Sequence, residues 1–185
     1  IRSERVDKPN KVQRPSSSDP YHSVPHAQGA TFKDKSVPSE ISNGTNSTIQ
    51  AISSCFPDHS IIRLKDGRTK RMDEIEIGDS IQVGPRLYSD VFMFTHRQAK
   101  VLSDFIVLET SSGHRLYISP GHYLYANDKL VASFLVRPKD EVILEDGQRT
   151  SIITISRTVA TGLYNPQTVH GNIVVDGILA STYTT

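Results

Sequence analysis

The chain has 185 residues, 36% of them hydrophobic, and a formal net charge of +1, enough for one domain of ordinary size plus an excess. Its seven histidines are scattered and no basic run carries interleaved aromatics, so no nucleic-acid partner is expected. No apolar stretch approaches the roughly 20 residues of a membrane span.

The chain opens Ile1-Arg2-Ser3 without an initiator Met or an apolar signal region, which reads as a fragment or processed piece. Residues 1–54 are rich in Ser, Pro, Asn, Lys and His, with apolar residues too sparse to show a period of two or 3.6. The expectation is a disordered tail or linker. It carries two sequons, Asn43-Gly44-Thr45 and Asn46-Ser47-Thr48, which are glycosylation candidates if the segment enters the secretory pathway.

The only cysteine sits in Ser53-Ser54-Cys55-Phe56-Pro57, where composition changes from tail to fold. One thiol makes no intramolecular disulfide and falls short of a zinc site, so no metal is expected. A buried apolar residue, an intermolecular link and a nucleophile remain open.

After Cys55 the pattern is one of short β-runs with turns between them. Ser60 to Lys65, the turn Asp66-Gly67 and Arg68 to Met72 form a hairpin signal. Ser80 to Val83 follows, then the turn Gly84-Pro85. Tyr88 to Phe94, Phe105 to Glu109, His114 to Ile118, Tyr123 to Tyr125, Glu141 to Leu144, Thr150 to Ser156, Gly162 to Tyr164 and Asn172 to Val175 are further strand candidates. A helical period is expected only at Ala180 to Thr184 or around Lys129 to Leu135. The fold class is all-β, with closely spaced turns.

Four segments together resemble the autoprocessing domain of hedgehog-type proteins, a family sharing the Hint fold with inteins. They are Cys55-Phe56-Pro57, Met72-Asp73-Glu74-Ile75-Glu76-Ile77-Gly78-Asp79, Leu116-Tyr117-Ile118-Ser119-Pro120-Gly121-His122, and Gly171-Asn172-Ile173-Val174-Val175-Asp176-Gly177-Ile178-Leu179-Ala180-Ser181. The resemblance implies a pseudo-twofold β domain over 55–185 that cuts its own chain at the Ser54-Cys55 bond. Cys55 would attack the Ser54 carbonyl to give a thioester, with the fold itself supplying the positioning. His122 would give a proton to the departing amine. Ser119 would orient the amide, standing where the family has Thr in a Thr-x-x-His motif.

In the second family step an outside nucleophile, a sterol hydroxyl, takes the acyl group. No metal or coenzyme is implied, and the partners are the chain's own N-terminal segment and a sterol. Here the sequence departs from the family. Thr95-His96-Arg97 stands where Asp-Arg is expected, so His96 is a general-base candidate or else an exposed turn residue. Thr182 replaces a second Cys, and the end Ser181-Thr182-Tyr183-Thr184-Thr185 lacks the terminal Asn that intein splicing needs. Cleavage at one end is therefore expected, in a monomer of the secretory pathway. The alternatives are release by water or a small nucleophile, and a catalytically dead, secreted binding module.

Overall fold

Alternating apolar residues and tight turns after the tail produce a domain of strands in the computed structural model, which describes residues 55–184. The expected tail, the sequons at Asn43 and Asn46, and Ser54 lie outside the described residues.

The strands are β1 (Ile61–Arg63), β2 (Thr69–Arg71), β3 (Ser80–Gly84), β4 (Leu87–Thr110), β5 (Arg115–Ile118), β6 (His122–Ala126), β7 (Lys129–Ala132), β8 (Glu141–Ile143), β9 (Arg149–Thr168), β10 (Asn172–Val175) and β11 (Ile178–Thr184). β1 and β2 pair by themselves through the Asp66-Gly67 hairpin, as the sequence predicts. The other strands form one sheet in the order β10-β11-β6-β8-β9-β4-β3, with β5 added to β4 and β7 to β6. Its two ends meet where β10 packs on β3. The closure encloses an apolar core that includes Phe56, Ile62, Met72, Ile81, Leu108, Leu116, Leu124, Ile152 and Ile173.

The expected pseudo-twofold relation is visible in the backbone hydrogen bonds, which recur at an offset of 61 residues: Met72 to Ser133, Asp79 to Asp140, Val91 to Ile152. Gly78 N–H donates to the Val91 carbonyl at 2.8 Å and Val91 N–H to the Asp79 carbonyl at 2.9 Å. Lys139 N–H donates to Ile152 at 2.7 Å and Ile152 N–H to Asp140 at 2.8 Å. The Asp79 carboxylate accepts from Glu76 N–H and the Asp140 carboxylate from Arg137 N–H. Both turns need a left-handed residue, and the halves differ there: Gly78 has φ 95°, whereas Lys139 adopts φ 80° with a side chain.

Three expectations are corrected. Ala180 to Thr184 is strand, not helix, because Ala180 and Thr184 pair with Leu124 and His122 on β6. Lys129 to Leu135 is strand β7 followed by a single 3-10 turn at Ser133–Leu135. Tyr88 to Phe94 and Phe105 to Glu109 are parts of one strand, β4, and Thr150 to Ser156 and Gly162 to Tyr164 are parts of β9. The linking stretches are largely exposed, so burial imposes little alternation on them, and the β4–β9 ladder itself keeps them extended.

Candidate active site

Cys55 enters the domain on an anchored backbone. Phe56 exchanges both backbone hydrogen bonds with Tyr164 on β9, at 2.9 and 3.0 Å, and Asp58 N–H donates to the Thr161 carbonyl at 3.0 Å. Gly162 makes this approach possible. It has φ 90°, and a Cβ there would lie 3.0 Å from the Asp58 backbone nitrogen and 2.6 Å from the Tyr164 ring. The cysteine is fully buried and packs with Phe105 and Leu163. Burial pushes the thiol up to about 12, so it stays protonated at rest.

Ser119, 64 residues away in sequence, meets Cys55 on both sides of its backbone. Cys55 N–H donates to Ser119 Oγ at 2.5 Å, and Ser119 N–H donates back to the Cys55 carbonyl at 3.0 Å. The Ser119–His122 turn closes on itself through His122 N–H and the Ser119 carbonyl at 3.1 Å. It is pinned from outside by Ser133, whose hydroxyl donates to the Ser119 and Pro120 carbonyls at 2.7 and 2.9 Å. Ser133 and its role carry no signal in the sequence, since they follow from the fold of the turn beside it.

His122 is fully buried. Its ring lies 4.3 Å from that of Phe56, and its Nε2 is 2.6 Å from the Ser181 carbonyl. A carbonyl only accepts, so Nε2 carries a ring hydrogen and Nδ1 is the nitrogen that gains and loses a proton. The structure thus brings Cys55 and Ser119 into direct contact and ties His122 to both through the turn and through Phe56.

His96 is not a turn residue. It lies within β4, half-buried, directly opposite Asn165 on β9. Its Nδ1 is buried without a hydrogen-bond partner among the described residues. Asn165 and Gln167 both donate to the Thr182 carbonyl, at 3.3 and 2.9 Å. Neither amide was singled out in the sequence. The available signal was two amides in Tyr164-Asn165-Pro166-Gln167-Thr168, a strand that otherwise reads as buried.

Asp176, on the turn between β10 and β11, ties this hairpin to the segment after Cys55. Its carboxylate accepts from Ile61 N–H at 2.7 Å and Ser60 Oγ at 2.9 Å, and its own N–H donates to the Ile61 carbonyl at 2.9 Å. Burial pushes this carboxyl up from its ordinary value, partly offset by those hydrogen bonds. Among the described residues no group of three His, Cys, Asp or Glu is arranged to hold a metal ion, and no helix is long and apolar enough to cross a membrane.

A family model described as the Hint module matches residues 42–185. Protein qua-1 of Caenorhabditis elegans is 34% identical over 158 residues, covering 71% of this chain and 13% of that protein. Sonic hedgehog protein of Danio rerio is 31% identical over 156 residues, covering 75% of this chain and 37% of that protein. The chain therefore spans well under half the length of either relative. Among solved structures, the gp41-1 intein superimposes with a TM-score of 0.61 at 13% identity, covering 69% of this chain and 98% of that one. At that identity the likeness concerns the fold.

Proposed function

This chain belongs to the Hint module family, and from that premise we propose that it cuts itself at the Ser54-Cys55 bond through an internal thioester. The observation that carries this reading is the reciprocal pairing of Cys55 with Ser119, which grips the amide nitrogen that must depart. The Cys55 thiol gives up its proton to solvent as Sγ attacks the Ser54 carbonyl carbon, the C–S bond forms, the C–N bond breaks, and the nitrogen leaves as the free amine of Cys55. Ser119 Oγ fixes the rotation of the amide by accepting its N–H. His122 supplies the proton the nitrogen needs, its ring held in place by the Ser181 carbonyl on Nε2.

A hydroxylic acceptor, a sterol alcohol or water, then resolves the thioester, with His96 as the base. The likeness to hedgehog proteins and the sequons at Asn43 and Asn46 support a route through the secretory pathway. The chain acts on its own N-terminal segment, as a monomer and once per molecule. A second reading is favoured by one observation: the Cys55 side chain is fully buried, which suits an inert β-module that binds partners and does no chemistry.

Intact mass after incubation with dithiothreitol separates the two. The wild-type chain is expected to split into a piece ending at Ser54 and a domain beginning at Cys55, and Cys55→Ala is expected to stay whole. If both proteins stay whole, the inert module is the correct reading.

A further inference from the structure

Asn165 is 1% exposed, and its Nδ2 donates to the Thr182 carbonyl. That bond fixes which way the amide points, because a carbonyl cannot donate. Oδ1 is then left buried with no hydrogen-bond partner among the described residues. Empty buried acceptors are uncommon in folded proteins, and each calls for a physical explanation.

Strand register places this oxygen. Phe56 and Tyr164 exchange both backbone bonds as an antiparallel pair. The next pair along is therefore Cys55 opposite Asn165, of the kind without backbone bonds between its members, in which side chains share a face and stand close. The Cys55 backbone groups turn away from β9 in such a pair, and they are bonded to Ser119 on the other side. Leu163, on the same face two residues earlier, packs on Cys55. The ladder on the far side of β9 sets His96 opposite Asn165. Cys55, Asn165 and His96 thus form one row across the entering segment, β9 and β4, with Asn165 in the middle. The row holds two buried atoms without partners, Asn165 Oδ1 and His96 Nδ1.

We infer that Asn165 positions the nucleophile of the release step, and that this nucleophile is water. The inference rests on the thioester reading above. In this assignment the His96 ring hydrogen sits on Nε2 and Nδ1 is an acceptor, so the row presents two acceptors and takes a molecule with two O–H groups. Water has two. An alcohol has one and leaves an acceptor empty. One water O–H is held by Asn165 Oδ1 and the other by His96 Nδ1. The water oxygen attacks the thioester carbonyl, the C–O bond forms and the C–S bond breaks. His96 takes the water proton and returns it to the departing Cys55 thiolate. The products are a carboxylic acid at Ser54 and the free thiol.

The test uses the full chain in buffer made with ¹⁸O water, with and without dithiothreitol, for wild type, Asn165→Leu and Asn165→Asp. Without thiol, wild type is expected to release the 1–54 piece as a free acid carrying ¹⁸O. Asn165→Leu loses the oxygen that places the water, so its hydrolysis is expected to slow by about 10²-fold. Its cleavage by thiol, an acceptor that needs no such placement, is expected to change by less than about threefold. Asn165→Asp keeps an acceptor oxygen and, when protonated, the donor to Thr182, so it is expected to hydrolyse at close to the wild-type rate.

If Asn165→Leu hydrolyses like wild type while its thiol cleavage is normal, the inference is wrong and the thioester reading stands. If Asn165→Leu loses both activities, the acceptor role is overturned in favour of a purely structural one, as it is if Asn165→Asp hydrolyses as slowly as Asn165→Leu. A wild-type chain that thiol does not cut removes the thioester, and this inference with it.

Discussion

The corner at Pro57 to Ser60 and the corner at Ser119 to His122 occupy equivalent places in the two halves, 62 residues apart, yet only the second bonds the Cys55 backbone. In the first, Asp73 N–H of a 3-10 turn donates to the Asp58 carbonyl at 3.2 Å, and in the second Phe134 N–H donates to the Pro120 carbonyl at 3.2 Å. The side chains then diverge. Asp58 lies 3.4 Å from His59 and 3.6 Å from Arg71, and Ser60 is bonded to Asp176, so that corner is closed by local polar partners. In the second corner Ser119 Oγ is given to the Cys55 amide and His122 to the Ser181 carbonyl. Its carbonyls are held instead by Ser133, which stands where the first half has the buried core residue Met72. The fold offers two similar corners, and only the second bonds the backbone on which Cys55 enters.

The sharpest way to break this asymmetry is His122→Ala. Thioester formation, read as the rate of thiol-induced cleavage, is expected to fall by roughly 10²- to 10⁴-fold, the range for general acid–base groups. An unchanged rate removes His122 from the reaction and makes the two corners chemically equal.

Gly162→Ala attacks the anchor that brings Cys55 to Ser119. The left-handed backbone and the clash with Asp58 and Tyr164 are together expected to cost about 2 kcal/mol of stability, measured by urea unfolding. Stability within error of wild type would show that the segment after Cys55 docks without this close approach.

Ser119→Ala set against Asp58→Ala compares the corners directly. Loss of the orienting hydroxyl is expected to cost about 1 kcal/mol at the transition state, roughly a fivefold slowing of thiol-induced cleavage. Asp58→Ala is expected to leave that rate unchanged. Equal slowing in both would mean that the first corner also acts on the bond.

The smallest effect is a pH dependence of stability through Asp176. Its raised value means that the folded state holds this proton more tightly than the unfolded chain. The associated stability is present below the ordinary carboxylate range and is lost as pH rises through the folded value. Asp176→Asn lacks this titration, so the stability difference between wild type and variant is expected to move in the variant's favour from acid toward neutral pH. Parallel unfolding curves across that range would show that the carboxyl does not titrate differently on folding.

Part of this site was readable in advance. Cys55, Ser119 and His122 stand out only through the resemblance of their segments, taken together, to hedgehog-type domains, whereas the Asp66-Gly67 hairpin follows from turn preferences alone. Asn165 was beyond reach because its meaning is a matter of register. Only the pairing of β9 with Phe56 on one side and β4 on the other sets it between Cys55 and His96. The continuity of β4 and β9 was hidden for a related reason: exposed strand in a two-stranded ribbon is specified by its partner and not by its own alternation. The repeat had a faint trace, Ile75 to Asp79 against Val136 to Asp140, in which Lys139 takes the place of the glycine.

The bonds around Cys55 also set a clock. Its surroundings are completed by Ser119, by Tyr164 on β9 and by β11, where Ser181 receives His122. At roughly 5–20 residues per second of synthesis, Ser181 is made on the order of ten seconds after Cys55. Until then the His122 ring lacks the Ser181 carbonyl that holds it. On the proposed reading, self-cutting waits for the C-terminal strand to dock, and a chain whose synthesis stalls before β11 is expected to stay uncut.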